Sequence, residues 1–434
     1  MSMHRKYFFI AGNPVLHSMS PELFAAHVAD ISSGHLYTSA LCADAADIKL
    51  LLDNGFSGCN ITAPLKEEVL KLGFAKSQSV EKICAANTIW RSGDEFFLEN
   101  TDIEGVDMAL TRNMDVVRGQ KAVVAGIGGA GRAAVVALQQ LGLDVTIVNR
   151  SVDNAQYWAE LLACNFASFT ASEETLSYAQ VFVSTIGNNF PFLDAIHKDL
   201  VVLDADYKNT ALKEACKENG ATYISGLQWL VFQAIPSFMY FLGSMVSEDV
   251  IAAAADNKTE LQLSSIFLTG MMKTGKTTSG RLLAQKLEYD FADTDLLVEQ
   301  LAGKTVDEIF KNQGEEIFRT YEKQVMDRLA GSKRMVIATG GGVVSDEQNR
   351  KIIRESGLGI CLFASPSELA SRGNGVKRPL LSVDNEELCL KQLLNSRFSD
   401  YLNCSQLVVP VERKDAEKVA DIIYSELQTV FSVS

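Results

Sequence analysis

The chain has 434 residues, enough for about two or three domains that each bury a core of their own. An apolar fraction of 47% with 22% charged residues is that of an ordinary globular enzyme, and a formal net charge of -14 without a lysine and arginine stripe argues against a nucleic-acid or anionic-membrane partner. After a basic start the apolar run Tyr7 to Ala11 already stops at Gly12, Asn13 and Pro14, too short for a signal segment or a membrane span.

In chain order, KYFFIAG predicts a strand and the stretch from Pro21 a helix. KAVVAG, GRAAVVALQQLG and DVTIVNR predict strand, helix and strand, and VVLDAD another strand. Beyond AAAADNKTELQLS (252–264), where small residues give way to a polar segment that reads as a domain seam, SIFLTG, MVIATGG and GICLFAS predict further strands. This alternation predicts an α/β chain built on parallel sheets covered by helices. No internal repeat, low-complexity tract or heptad run interrupts it. The eight cysteines form no C-x-x-C pair, so neither a zinc site nor a disulfide framework is indicated, and a reducing cytoplasm is the expected location. None of the five histidines lies beyond His197, which leaves acid and base work in the C-terminal part to carboxylates.

Two glycine-rich turns carry the chemistry. The first, GIGGAG, places Gly126, Gly128 and Gly131 between a strand and a helix, with Gly129 and Ala130 completing the turn. Glycines there allow a pyrophosphate to approach the free amides of the helix start. About 20 residues on, where a carboxylate would take the ribose hydroxyl of NAD, stand Asn149, Arg150 and Ser151. A guanidinium in that place suits a 2′-phosphate, so NADP is the expected cofactor.

Around this turn, GNPVLHSMSPELF, CNITAPLKEEV, AANT, ENTDIEG and GLQWLVFQA resemble the motifs of the shikimate dehydrogenase family. The resemblance implies that Ser18 and Ser20 hold a substrate carboxylate and that Asn60, Thr62, Asn87 and Asp102 read ring hydroxyls. It also implies Lys66 beside the reacting oxygen, with Tyr207 and Gln233 as further substrate contacts. Reduction of a ketone builds an alkoxide and needs a proton donor in reach, which a lysine oriented by a carboxylate supplies. The chain departs from the family at Phe24 and Ala25, where His-Asn is usual, and lacks a proline in STIGN and in DADYKNT.

The second turn, GMMKTGKTT, fits G-x-x-x-x-G-K-[ST] directly after a strand: Gly270, Thr274, Gly275, Lys276, Thr277 and Thr278 are the candidate ATP-binding residues, with the Thr277 hydroxyl a magnesium ligand. The later stretches FADTDLLVE, GEEIFRTYE, VIATGGGVV, KRPLL and NSRFSDY are similar in order and spacing to the shikimate kinases. That similarity implies Asp293 on magnesium and Asp295 on the substrate hydroxyls as proton acceptor. Arg319 and Arg397 would clamp the carboxylate, with Gly341 and Gly342 against the ring. Arg378 would close over the phosphates, and Arg372 would lie against adenine or phosphates. For Arg319 alone, a surface arginine paired with Glu315 or Glu322 at helical spacing is the competing reading.

Together the resemblances imply an N-terminal α/β substrate lobe (1–103, with a return of 226–255), a Rossmann NADP-binding lobe (104–225), a linker (256–264) and a P-loop, nucleoside-monophosphate-kinase-like α/β domain (265–434). The expected chemistry is NADPH-dependent reduction of 3-dehydroshikimate to shikimate, then phosphorylation by ATP and Mg2+. The substrates are small molecules, with no nucleic acid and no membrane. A chain in which only one half is active and the other senses or binds nucleotide is the alternative, and quinate is a second possible substrate of the first half.

Overall fold

The computed structural model describes residues 5–187, 190–207, 210–257, 263–372 and 385–431. They gather into two compact units, one made of Met1–Pro21, Gly34–Ser57 and Thr259–Ser434, the other of Glu22–Ser33 and Gly58–Lys258.

The first unit is built on a parallel sheet whose strands run in the order Asp290–Asp293, Met335–Ala338, Ser265–Thr269, Gly357–Phe363, Leu407–Pro410, Leu36–Leu41 and Tyr7–Gly12. The interior strand Ser265–Thr269 carries Ile266, Phe267 and Leu268, all fully buried, as a strand covered on both faces requires. That strand leads into the P-loop, where Gly270 and Gly275 adopt φ of 126° and 90°, and then into the helix Lys276–Leu287. Glycine is needed at Gly270 because any side chain would run into the Leu362 carbonyl.

The two strands that open the chain join this sheet. Leu407 pairs with Ser39 and Val408 with Ala40, so Leu407–Pro410 is not left as an exposed edge. Phe398 reinforces the junction edge-on, 4.9 Å from the Tyr7 ring and 5.2 Å from that of Phe56. Farther along, Thr305 and Glu308 form a capping box at the start of the helix Val306–Leu329, which breaks at Gly314 (φ 84°, ψ 171°) before Arg319.

The second unit holds a six-stranded parallel sheet in the order Thr222–Ile224, Val201–Asp204, Val181–Ser184, Lys121–Ala125, Asp144–Asn149, Asn165–Ser168. The strand Lys121–Ala125 feeds the turn that starts the helix Gly129–Gln140 at a point where strand order reverses, the usual ligand position in such sheets. A smaller group of strands corrects the expectation of parallel sheets throughout: Gly58–Ile61 pairs antiparallel with Thr88–Ser92, which pairs antiparallel with Glu95–Glu99. The cause is local. Ser92 faces Glu95, so only Gly93 and Asp94 make the turn, and Gly93 takes φ 61°.

The helix Gly226–Leu242 packs on Asp102–Thr111 at Gly105, where a Cβ would lie 2.7 Å from Trp229 and 2.8 Å from Gln233. No helix among the described residues is long and apolar enough to cross a membrane.

Candidate active sites

In the second unit the polar motif residues converge. Asp102 opens the helix Asp102–Thr111, and its carboxylate receives Lys66 Nζ at 2.5 Å through Oδ2 and the Asn87 amide at 3.0 Å through Oδ1. Asn87 also faces Gln233 Oε1 at 2.9 Å, while its side-chain oxygen accepts the Thr101 N–H at 2.8 Å. Asn60 donates to Ser237 Oγ at 2.6 Å and lies 3.1 Å from Thr88 Oγ1. Asp102 is buried and Lys66 half-buried, so the pair sits where its Coulomb attraction is only partly screened. Thr62 lies in the turn leading to Lys66, its carbonyl accepting the Leu65 N–H.

The glycine-rich turn comes up against this cluster. A Cβ on Gly129 would stand 3.1 Å from Ala85 and 3.4 Å from the Lys66 stem. Gly126 has φ 92°, and a side chain at Gly131 would strike the Gly126 carbonyl, whereas Gly128 faces open space. The turn is therefore a tight backbone cradle with a free side, and it fits a dinucleotide pyrophosphate. Ala130 lies in the first turn of the helix behind it. Asn149 ends the strand Asp144–Asn149, exposed Arg150 comes next, and the Ser151 hydroxyl caps the next helix through the Asn154 N–H. Tyr207 is pushed up to about 12 by burial, with Asp206 and Glu22 adding to the effect, so its hydroxyl stays protonated at neutral pH.

Ser18 and Ser20 belong to the first unit. Their hydroxyls are 3.2 Å apart, and Ser18 Oγ also accepts the Ser20 N–H at 3.3 Å.

The same unit carries the P-loop. Lys276 folds back so that Nζ reaches the Gly270 and Met271 carbonyls, each at 2.8 Å, and the Thr274 hydroxyl bonds the Met271 carbonyl at 2.8 Å. Exposed Thr277 donates to Asp293 Oδ2 at 2.7 Å, while Asp293 Oδ1 accepts the Asp295 N–H at 3.0 Å. A hydroxyl and a carboxylate in contact at the start of the P-loop helix form the oxygen donor set that suits magnesium, which keeps several waters. Thr278 is exposed on the same turn.

A charged cluster adjoins the loop through Gly341, where a Cβ would be 3.4 Å from the Met272 nitrogen. The Gly341 carbonyl accepts from Arg397 at 3.2 Å and from Tyr401 Oη at 2.6 Å. Any side chain at Gly342 would collide with the Arg319 guanidinium, and one at Gly340 would come within 2.6 Å of Asp295 Oδ1. Arg319 does pair with Glu315 and Glu322, at 2.8 Å each, as the competing reading expects, and its guanidinium also faces Gly342. Burial pushes the Glu322 carboxyl up, against the pull of Arg319. Arg372 is tied to the loop from outside, donating to the Lys273 carbonyl at 3.2 Å and to Glu368 at 2.8 Å. Arg378 lies outside the described residues.

Three members of these sites escaped the sequence reading. Arg132, buried just after the glycine turn, ties it to the Lys66 segment through Glu67 at 2.7 Å and lies 4.2 Å over the Trp158 ring. Tyr401 stands one helical turn beyond Arg397, a spacing that could have been noticed. Lys273 of the P-loop is held by Glu386 at 2.5 Å, a partner far away in sequence with no local signal.

A Rossmann-type oxidoreductase fold and a P-loop phosphotransferase fold thus meet in one chain. A family model described as shikimate dehydrogenase substrate binding domain matches residues 10–89, and one described as shikimate kinase matches 272–428. The shikimate kinase of Thermoanaerobacter pseudethanolicus is 43% identical over 145 residues, 32% of this chain and 85% of that protein. The crystal structure of Mycobacterium tuberculosis shikimate dehydrogenase aligns with a TM-score of 0.54 at 28% identity, covering 58% of this chain and 100% of that one. Shikimate 5-dehydrogenase from Thermus thermophilus, in complex with NADP(H) and shikimate, aligns with a TM-score of 0.53 at 27% identity, over 58% of this chain and 98% of that one. The chain belongs to the shikimate kinase family in its C-terminal part and carries shikimate dehydrogenase ahead of it, which makes it a bifunctional enzyme of the shikimate pathway.

Proposed function

We propose that the chain reduces 3-dehydroshikimate to shikimate and then phosphorylates shikimate at the hydroxyl just formed. The observation that carries this reading is that each glycine-rich turn abuts its own charged cluster, Gly129 against Lys66 and the P-loop against Gly341. When bound, NADPH supplies the reducing equivalent, and ATP with Mg2+ supplies the phosphoryl group.

In the first reaction Ser18 and Ser20 hold the carboxylate, while Asn60, Thr62, Asn87, Tyr207 and Gln233 orient the ring. Asp102 aligns Lys66 through their 2.5 Å contact, and Lys66 Nζ delivers a proton to the ring oxygen as the ketone is reduced. Gly126, Gly128, Gly129, Ala130 and Gly131 would hold the pyrophosphate, and Asn149, Arg150 and Ser151 would take the 2′-phosphate.

In the second reaction Arg319 and Arg397 grip the carboxylate in the planar manner that guanidinium allows. Gly341 and Gly342 let the ring lie on backbone. Asp295 accepts the proton of the attacking hydroxyl, Lys276 would exchange the loop carbonyls for the phosphates, and Thr277 and Asp293 would hold magnesium when it binds. Gly270, Thr274, Gly275 and Thr278 would wrap the phosphates, with Arg372, which bonds the Lys273 carbonyl, beside them. Catalysis of this transfer is mainly positioning and charge neutralisation, which is what such a set provides.

The division into a substrate lobe (1–103 with 226–255), an NADP lobe (104–225), a linker (256–264) and a kinase domain (265–434) belongs to the same reading. The eight cysteines form no C-x-x-C pair, and this composition suits a reducing cytoplasm. Incubating the protein with 3-dehydroshikimate, NADPH, ATP and Mg2+, and following shikimate and its 3-phosphate by mass, tests the proposal. NADPH consumption that stops at shikimate, or phosphorylation of added shikimate without reduction, would restrict the chain to one activity.

A further inference from the structure

The last helix, Ala416–Phe431, turns Val419, Ala420, Ile423 and Leu427 inward as a buried apolar face. Glu426 shares that face and is 2% exposed. A carboxylate buried on the packing side of a helix is unfavourable unless something there needs an acceptor. Here Glu426 Oε1 accepts the Val15 N–H at 2.9 Å and the Leu16 N–H at 2.6 Å, across 411 and 410 residues of chain. Both residues are buried, so water cannot take over these amides.

The held peptide leads directly to the serines. The Val15 carbonyl accepts the Ser18 N–H at 3.0 Å, and Ser18 Oγ in turn accepts the Ser20 N–H at 3.3 Å. Val15 is thus fixed on one side by Glu426 and on the other by Ser18. The neighbouring segment repeats the attachment. Leu407–Pro410 pairs with Leu36–Leu41, the Thr38 hydroxyl bonds the Ser405 carbonyl at 3.3 Å, and Lys414 Nζ reaches both oxygens of fully buried Asp47 at 2.8 Å.

We infer that Glu426 is a positioning residue for the reduction: the final helix of the kinase part sets the Val15–Ser20 loop that takes the substrate carboxylate. This rests on the proposed role of Ser18 and Ser20. The two activities then share a dependence in one direction, because reduction needs the last helix to present Glu426 whereas phosphorylation makes no use of that carboxylate.

The test is steady-state oxidation of shikimate with NADP+ by the full-length chain and its Glu426→Ala, Glu426→Gln and Leu427→Ala variants, with phosphorylation of shikimate measured on the same preparations. Glu426→Ala is expected to raise the dehydrogenase KM for shikimate about tenfold, the scale of a lost buried hydrogen bond, while KM for NADP+ and both kinase constants stay put. Glu426→Gln keeps an acceptor oxygen and should recover most of the loss. An unchanged KM in Glu426→Ala overturns the inference, as does an equal rise in Leu427→Ala, which would assign the effect to packing. Should the alanine variant not fold, Glu426→Met, close in shape but unable to accept both amides, is read in the same way. Absence of shikimate oxidation by the unmodified chain would instead defeat the reading on which the inference rests.

Discussion

Lys66 was recognisable from its run N-I-T-A-P-L-K, and the structure puts its ammonium 2.5 Å from Asp102 beside the dinucleotide turn. Lys66→Ala removes the proposed proton donor, so the reduction rate should fall by about 10²–10⁴-fold with phosphorylation unchanged, which paired assays on one preparation will check. Arg150 makes a narrower claim. It is exposed at the end of Asp144–Asn149, where it is available to a 2′-phosphate. Arg150→Ala should raise KM for NADP about 10- to 100-fold, the worth of a charge-assisted hydrogen bond, and leave NAD unaffected; an unaltered ratio of the two would remove the argument. These positions could be singled out because Lys66 stands inside a short motif and Arg150 at a fixed distance beyond the glycine turn. Glu426, Glu386 and Glu67 could not, since an acidic residue in a polar helix or turn looks the same whether it faces solvent or a buried amide hundreds of positions away.

Among the elements, long apolar runs such as SIFLT and KAVVA announced their strands, because a strand covered on both faces has almost no polar positions. The hairpin Thr88–Glu99 passed unnoticed: its strands are short, partly exposed and mixed in composition, and the only marker was Gly93-Asp94. Nor did periodicity reveal that Leu36–Leu41 would lie beside Leu407–Pro410, since strand pairing is decided by burial across the whole sheet and leaves no local mark. The link between the helix Ala45–Asp53 and the end of that C-terminal strand is testable. Asp47 is fully buried and its carboxylate is held by Lys414, with Arg413 3.2 Å away. Lys414→Met should destabilise the first unit by about 3 kcal/mol, near the low end for breaking a buried pair because Arg413 remains. Denaturant melts tracked by a probe in that unit measure this, and a loss below about 0.5 kcal/mol would make the pair no stronger than a surface one.

At the scale of the whole chain, joining the two activities makes their sites equal in number and lets the product of one serve the other, while the proposed mechanism gives each its own proton handling. Asp295 is where that separation is most exposed to test. Its amide is bonded to Asp293, its carboxylate lies where a side chain on Gly340 would stand, and Glu322 with Arg319 completes the cluster. Lys66 and Asp102 belong to the second unit and this set to the first. Asp295→Asn keeps the shape and removes the proposed proton acceptor, so phosphorylation should drop about 10²–10⁴-fold while 3-dehydroshikimate is still reduced. In the combined incubation shikimate would then accumulate at the rate of NADPH consumption. The coupling through Glu426 runs from the last helix to the serine loop and does not pass through Asp295, so a fall in reduction in this variant would show that the two chemistries are linked by a route the hydrogen bonds do not trace.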